Sequence, residues 1–163
     1  MADDSVKVEF VEGLSPSERR AVAWITRGDE FNAKTIFENL ASNSEGFVRA
    51  SMDAWIGGAP DIHGRFHGFP GDKTFVDGYV FKYRENRLEN RLYGFKMRPG
   101  VPDGQFDICV LAVHATKAGK YTPDWVKSVV GRLRDDEAIR RSVVKRVAEL
   151  YCGKNKRKGR TRK

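Results

Sequence analysis

The chain has 163 residues, of which 40% are hydrophobic and 11% aromatic, and its formal net charge is +8. This length and apolar content exclude a disordered chain and indicate one domain with a buried core. No apolar run approaches the roughly 20 residues of a transmembrane helix, and the acidic, polar segment MADDSVKVEF is unlike a signal peptide, so we expect a cytoplasmic protein without membrane association.

The positive charge is unevenly distributed along the sequence. Residues 154–163 carry seven cations and no anion, residues 1–72 carry seven cations and twelve anions, and residues 73–134 carry twelve cations and six anions. We therefore predict a single domain over residues 1–153 and a disordered basic tail over residues 154–163. The basic middle and the tail would both attract a polyanion such as RNA. An alternative for the tail is that it only aids solubility.

The N-terminal segment predicts a strand followed by a helix. Residues 6–10 alternate apolar and charged side chains, as in a short strand. The residue types of Ser15-Pro16-Ser17-Glu18 match a capping box, with proline at the first helical position. A helix is therefore predicted from this point to about Thr26.

A second helical region and a long loop follow. Residues 33–55 have helical patterning with a predicted break near residues 43–46. Residues 57–78 contain six glycines and two prolines, so we predict an insertion loop there.

Three strand patterns occupy the basic middle of the chain. Residues 79–84 and 92–98 alternate, and the second of these runs places Lys96 and Arg98 on one cationic face. Residues 106–113 are apolar on both faces apart from one aspartate, as in a central strand that is covered on both sides. His114 lies at the end of that run. Because turn-like segments join the three runs, we predict an antiparallel meander.

Two helices are predicted after the meander. Thr122-Pro123-Asp124 provides an N-cap, an N1 proline and an acidic first turn. The predicted buried side chains are Trp125, Val129 and Leu133 in the first helix, and Ile139, Val143, Val147 and Leu150 in a last helix over residues 136–151. The predicted fold is α+β: a small antiparallel sheet, made of the meander and the N-terminal strand, packed with helices.

The element order and several short motifs resemble the RelE/HigB-like toxins, in particular their phage-related branch. Leu92-Tyr93-Gly94-Phe95-Lys96 is similar to the Leu-Tyr/Trp-x-Leu-Arg strand of that branch, and Val113-His114 is similar to its Leu-His strand end. Lys117 and Lys120 correspond to its lysine-rich linker, and Thr122-Pro123 to the start of its next helix. The resemblance implies a RelE-like fold.

The resemblance also implies a toxin-type endoribonuclease of a toxin-antitoxin module. Such an enzyme cleaves RNA, including ribosome-bound mRNA, without a metal, and a cognate antitoxin protein covers its basic face. His114 would act as acid or base, Lys96 and Arg98 would stabilise the phosphate charge, and Lys117 would assist from the linker. The residues expected to contact RNA without cleaving it are Lys82, Arg84, Arg91, Lys120 and Tyr121, with Arg65 and His67 from the loop.

Two alternatives differ in class from this enzyme. Asp107-Ile108-Cys109 replaces a tyrosine-arginine pair common in the family, which favours a non-catalytic nucleic-acid-binding or regulatory protein on the same fold. A phage-encoded protein that binds a host protein through residues 57–78 is the other alternative. For His114 alone, a structural hydrogen bond to a backbone carbonyl is also open.

The sequence predicts neither a metal nor another cofactor. His63 and His67 are four residues apart, but the glycines around them disfavour the helix that would bring both to one face. Cys109 and Cys152 are isolated and lack ligand spacing, which is typical of a protein in a reducing compartment.

Overall fold

The structure, a computed structural model, describes residues 6–28, 30–117 and 119–160, with side chains up to Tyr151. The elements in chain order are β1 (Lys7–Phe10), β2 (Arg20–Thr26), α1 (Ala33–Glu38), α2 (Ser42–Ile56), β3 (Phe66–Gly68), β4 (Gly78–Glu85), β5 (Leu88–Met97), β6 (Asp107–Thr116), α3 (Asp124–Asp135) and α4 (Glu137–Arg160). The predicted α+β class is confirmed. None of the helices in the described part of the chain is long and apolar enough to cross a membrane.

The strands form a six-stranded mixed sheet in the order β1-β2-β6-β5-β4-β3. β4 pairs antiparallel with β5, and β5 pairs antiparallel with β6, as the meander prediction requires. β2, however, pairs parallel with β6, and β3 adds an edge strand beyond β4. The prediction of a small antiparallel sheet is therefore wrong in size and in strand direction.

The helix predicted to end near Thr26 is also wrong, because this segment contains β2. The Ser17 hydroxyl accepts hydrogen bonds from the backbone N–H groups of Arg19, at 3.2 Å, and Arg20, at 3.0 Å, and so closes a turn instead of starting a helix. Residues 21–25 are all buried between β1 and β6. A strand that is covered on both faces has a continuous apolar run, which sequence periodicity does not distinguish from a buried helix.

Helices cover both faces of the sheet. α1 and α2 pack on one face, and α3 and α4 pack on the other. The core under α1 and α2 includes Trp24, Phe37, Met52, Trp55, Phe81 and Leu92. The core under α3 and α4 includes Ile25, Tyr93, Phe95, Val110, Val130, Ile139 and Val143.

The helix faces agree only in part with the predictions. In α3 the buried residues are Val126, Val130 and Leu133, whereas Trp125 is exposed. This stripe is offset from the predicted one because the contacts of α3 with the sheet, not the apolar spacing alone, select which side faces inward. In α4 Leu150 is only partly buried.

Three predicted segments differ in extent from the structure: the loop, the helix break and the last helix. The predicted loop 57–78 contains β3, and Phe66 there is fully buried against β4. The break in the first helical region falls at residues 39–41, earlier than predicted. The last helix continues to Arg160, past its predicted end at residue 151. Its side chains beyond Tyr151 and residues 161–163 lie outside the described residues, so the disorder of the basic tail stays a prediction.

Candidate functional site

A bulge in β6 determines which face of the sheet carries His114. The pairing with β5 skips Ala112, so Leu111 and Val113 oppose consecutive residues of β5. Strand alternation would otherwise place His114 on the face of α3 and α4 together with Val110. Instead Val113 lies in the core under α3 and α4. His114 lies on the side of α1 and α2, because its ring is near Tyr83 and its cross-strand partner is Leu92, both of which belong to the core under those helices.

His114 is half-buried and is held by two asparagines. Its Nε2 lies 2.8 Å from Asn90 Oδ1, and its backbone N–H donates to Asn32 Oδ1 at 3.0 Å. Its ring centroid is 6.4 Å from that of Tyr83. Because the amide oxygen is an acceptor, Nε2 carries the hydrogen and Nδ1 is the basic nitrogen of the neutral ring. Burial lowers the pKa of His114 below its ordinary value.

An open cavity of about 540 Å³ adjoins His114 through Tyr83 and Asn90. It lies between α2, the His63–Gly64 turn and the β4–β5 hairpin. Its cations come from strands β4 and β5 and from the end of β6. The lining residues are Asn43, Ser44, Phe47, His63, Gly64, Lys82, Tyr83, Arg84, Glu89, Asn90, Arg91 and Lys117.

Positive charge dominates this cavity. Lys82, Arg84, Arg91 and Lys117 line it, and Glu89 is the one carboxylate among the described lining residues. Lys117 Nζ lies 3.2 Å from the Glu89 carboxylate, and this hydrogen bond lowers the pKa of Glu89. Glu89 is also the cross-strand partner of Arg84, so one carboxylate faces four cations and the lining keeps a net charge of +3.

Two of these cations are forced together by the hairpin register. Lys82 and Arg91 are direct cross-strand partners, an arrangement that destabilises a sheet when the charges are alike. Burial lowers the pKa of Lys82, and the charges of Arg91 and Lys117 lower it further. The Lys82 ammonium donates to the His63 carbonyl oxygen at 2.9 Å. An anion bound here would relieve this repulsion.

An aromatic ring forms part of the wall opposite the cations. Phe47 of α2 is 41% exposed, although it is a large apolar residue. The Arg65 guanidinium lies 4.7 Å from the centroid of this ring, and its Nε donates to Ser51 Oγ at 3.1 Å. Arg65 therefore braces a ring that stays partly exposed at the cavity, and an exposed aromatic ring can stack with a flat ligand.

The structure brings together only part of the predicted site. Lys82, Arg84, Arg91 and Lys117 line the cavity, and His114 adjoins it. In contrast, Lys96 and Arg98 do not converge with this group.

Antiparallel pairing is the reason for this separation. His114 pairs with Leu92, and Lys96 lies four residues further along β5, or roughly 13 Å away. The Lys96 ammonium lies 5.0 Å from the centroid of the Tyr79 ring. Arg98 donates to the Asp107 carboxylate at 2.9 Å. The predicted cationic face beside His114 is therefore not formed by these two residues.

The other predicted contact residues lie outside the cavity lining. His67 Nδ1 lies 2.6 Å from the Gly68 carbonyl oxygen, and its ring stacks on that of His63 with centroids 5.4 Å apart. Burial is the main cause of a lowered pKa of His67. Tyr121 is 78% exposed, and the Lys120 ammonium lies 5.7 Å from its ring centroid.

Sequence reasoning missed several lining residues, notably Phe47, Asn90 and Asn43. Phe47 has helical spacing that equally suits a buried position, and Asn90 falls in a segment that reads as a turn. Their roles depend on how α2 packs against the β4–β5 hairpin, which no local pattern encodes. His63 was noticed in the sequence only as half of a pair with His67, and it was not predicted to contact RNA.

No protein-family model, curated protein or solved structure matches this chain. Its function is therefore inferred from the cavity and the side chains around it.

Proposed function

We propose that this protein is a cytoplasmic RNA-binding protein that holds the ribose-phosphate backbone in the basic cavity. The observation that carries the proposal is the direct pairing of Lys82 with Arg91 inside a cavity that Lys117 and Arg84 also line. Like charges at cross-strand positions cost stability. A site that maintains them against this cost is suited to a ligand with closely spaced negative charges, such as a phosphodiester chain.

The cavity also offers groups that suit nucleotides beyond their phosphates. Asn43 provides an amide donor and acceptor, and Phe47 provides a partly exposed ring. A strand of RNA presents phosphates, hydroxyl groups and flat bases at short intervals, so one ligand satisfies all three kinds of group.

Salt-dependent binding tests this proposal. A short fluorescein-labelled RNA is titrated with wild type and with Lys82→Ala, Arg91→Ala and Lys117→Ala at several salt concentrations. Each substitution should weaken binding and should lower the slope of log affinity against log salt by about 0.7 to 0.9. Lys96→Ala and Arg98→Ala remove the same charge at the far end of β5 and are matched controls. They should change the affinity and the salt slope less than the cavity substitutions do. Equal losses in the cavity and control variants would contradict the proposal.

A second candidate is the toxin-type endoribonuclease implied by the resemblance to RelE/HigB-like toxins. The observation that favours it is a pair of imidazoles near the cavity: His63 lines it, and His114, outside the lining, is hydrogen-bonded to its wall residue Asn90. One imidazole would accept the proton of a 2′-hydroxyl, and that oxygen would attack the phosphorus. The other would protonate the departing 5′-oxygen, leaving a 2′,3′-cyclic phosphate. Lys82 and Arg91 would stabilise the added negative charge.

This candidate predicts RNA fragments that end in a 2′,3′-cyclic phosphate and form in the presence of EDTA. His114→Ala and His63→Ala should reduce cleavage while RNA binding is retained, since Lys82, Arg84, Arg91 and Lys117 stay in place in both variants. Expression should arrest growth, with ribosome-bound mRNA as the substrate and a cognate antitoxin as the partner that relieves the arrest. Intact RNA after incubation with wild type, both free and on translating ribosomes, would exclude this candidate and leave the binding function standing.

A further inference from the structure

Two aromatic side chains at the start of α3 are largely exposed. Tyr121 is 78% exposed and Trp125 is 51% exposed, whereas Trp24 and Trp55 are each 2% exposed. Large aromatic rings that remain in solvent on a well-packed domain mark binding surfaces.

The segment that carries these rings is fixed by buried neighbours. Thr122, next to Tyr121, and Val126, next to Trp125, are both buried. The backbone between them is therefore held in place while the two rings stay at the surface. A ring presented on a fixed backbone loses little conformational entropy when a ligand stacks on it.

A basic side chain lies beside the first ring, and the cavity lies a short distance along the chain. The Lys120 ammonium lies 5.7 Å from the Tyr121 ring centroid, and Asp124 is the acidic residue of the first turn of α3. Lys117, which lines the cavity, precedes Tyr121 by four residues, so their Cα atoms lie within roughly 14 Å of each other. A strand that leaves the cavity past Lys117 therefore reaches these rings within a few nucleotides.

We propose that Tyr121 and Trp125 form a second subsite, on which unpaired bases of the RNA strand held in the cavity stack. The proposal rests on the RNA-binding function above and adds the class of RNA to it. Bases in a duplex are already stacked on one another and cannot cover an external ring, so the ligand is single-stranded. Every base has a flat face, so this subsite contributes affinity with little sequence preference.

The test compares probes that differ only in their bases, using the full chain. The probes are a short single-stranded RNA, the same sequence as a duplex, and a strand of equal length with abasic riboses that keeps the phosphates. Tyr121→Ala and Trp125→Ala should each weaken binding of the single strand about tenfold, since stacking is worth about one decade in affinity per ring. Binding of the abasic strand should be unchanged by either substitution. Trp125→Phe keeps a ring and should bind almost as wild type does. Val76→Ala, at a loop residue that is 49% exposed, is the matched control and should have no effect.

Fluorescence gives a direct readout, because Trp125 is the exposed tryptophan and the other two are buried. Single-stranded RNA should quench the emission of wild type, and Trp125→Phe should abolish this change. Three outcomes would overturn the subsite while the RNA-binding function stands. The alanine variants could bind single-stranded RNA as wild type does, or they could lose as much affinity for the abasic strand as for the intact strand. The third is that wild type binds duplex as tightly as single strand. If no RNA binds to wild type, both fall together.

Discussion

The contact between His114 and Asn90 links the end of β6 to the wall of the cavity. Asn90 is 9% exposed, so its side chain is one of few buried polar groups in the described residues. Its Nδ2 donates to the Leu88 carbonyl oxygen at 3.0 Å while its Oδ1 faces His114. The amide therefore fixes both the hairpin end and the orientation of the imidazole.

Asn90→Asp should reverse the direction of the pKa shift of His114. In wild type burial favours the neutral ring, so the stabilisation is present above the ordinary pKa of 6.5 and is lost as the pH falls through the lowered value. A carboxylate at position 90 would favour the imidazolium and raise its pKa. Stabilisation by this pair would then be present below the ordinary pKa of the imidazole and lost as the pH rises through the raised value. NMR titration of the imidazole protons measures the shift. Asn43→Asp, in the same cavity but away from the imidazole, is the control, and a shift of equal size there would contradict the assignment.

At the level of secondary structure, the close approach of β5 and β6 depends on Gly94. A Cβ atom added at Gly94 would lie 1.8 Å from the Val110 carbonyl oxygen, which is backbone and cannot move aside alone. This approach occurs where the register shifts at the bulge. Gly94 therefore permits the bulge that turns His114 toward the cavity.

Gly94→Ala should lower the free energy of unfolding by about 3 kcal/mol or more, as overpacking against fixed backbone does. The matched control is Gly46→Ala on the exposed face of α2, where an added Cβ meets no atom within 4 Å. That change should raise the free energy of unfolding by about 0.5 to 1 kcal/mol, because alanine favours a helix over glycine. Urea denaturation measures both, and similar values for the two variants would refute the role of Gly94.

Across the whole molecule, the cavity is assembled from parts distant in sequence. α2 contributes Phe47, the segment before β3 contributes His63, the hairpin contributes Lys82 and Arg91, and Lys117 follows β6. The mixed sheet holds these parts in place because β5 and β6 lie at its centre, covered by helices on both faces. Ligand binding at the cavity is therefore coupled to folding.

A small polyanion should stabilise the folded protein through this coupling. Tripolyphosphate should raise the melting temperature more than sodium chloride at equal ionic strength, because it binds the folded cavity and not the unfolded chain. Lys82→Ala combined with Arg91→Ala should remove most of this shift, and Lys96→Ala combined with Arg98→Ala should preserve it. Differential scanning fluorimetry measures all three proteins. A shift that survives in the cavity variant would place the anion elsewhere.

Local patterns predicted the elements whose signals are local. The alternation over residues 79–84 and 92–98, and the apolar run over residues 106–113, correspond to β4, β5 and β6 because each pattern reflects which side chains share one face of a strand. The start of α3 was also predicted from a local signal, although Pro123 and not Thr122 occupies the N-cap and no side chain caps the helix. β2 was missed because its burial on both faces is produced by its neighbours and not by its own sequence.

The sequence by itself determined the basic character of the middle of the chain, the antiparallel meander and the placement of His114 near the end of a buried strand. Only the tertiary structure decided which cations meet. Antiparallel pairing carries Lys96 away from His114, and the bulge at Ala112 turns the imidazole toward Asn90. The physical reason is that residue spacing fixes the face of an isolated strand, whereas register, bulges and helix packing fix which faces and strand ends come together.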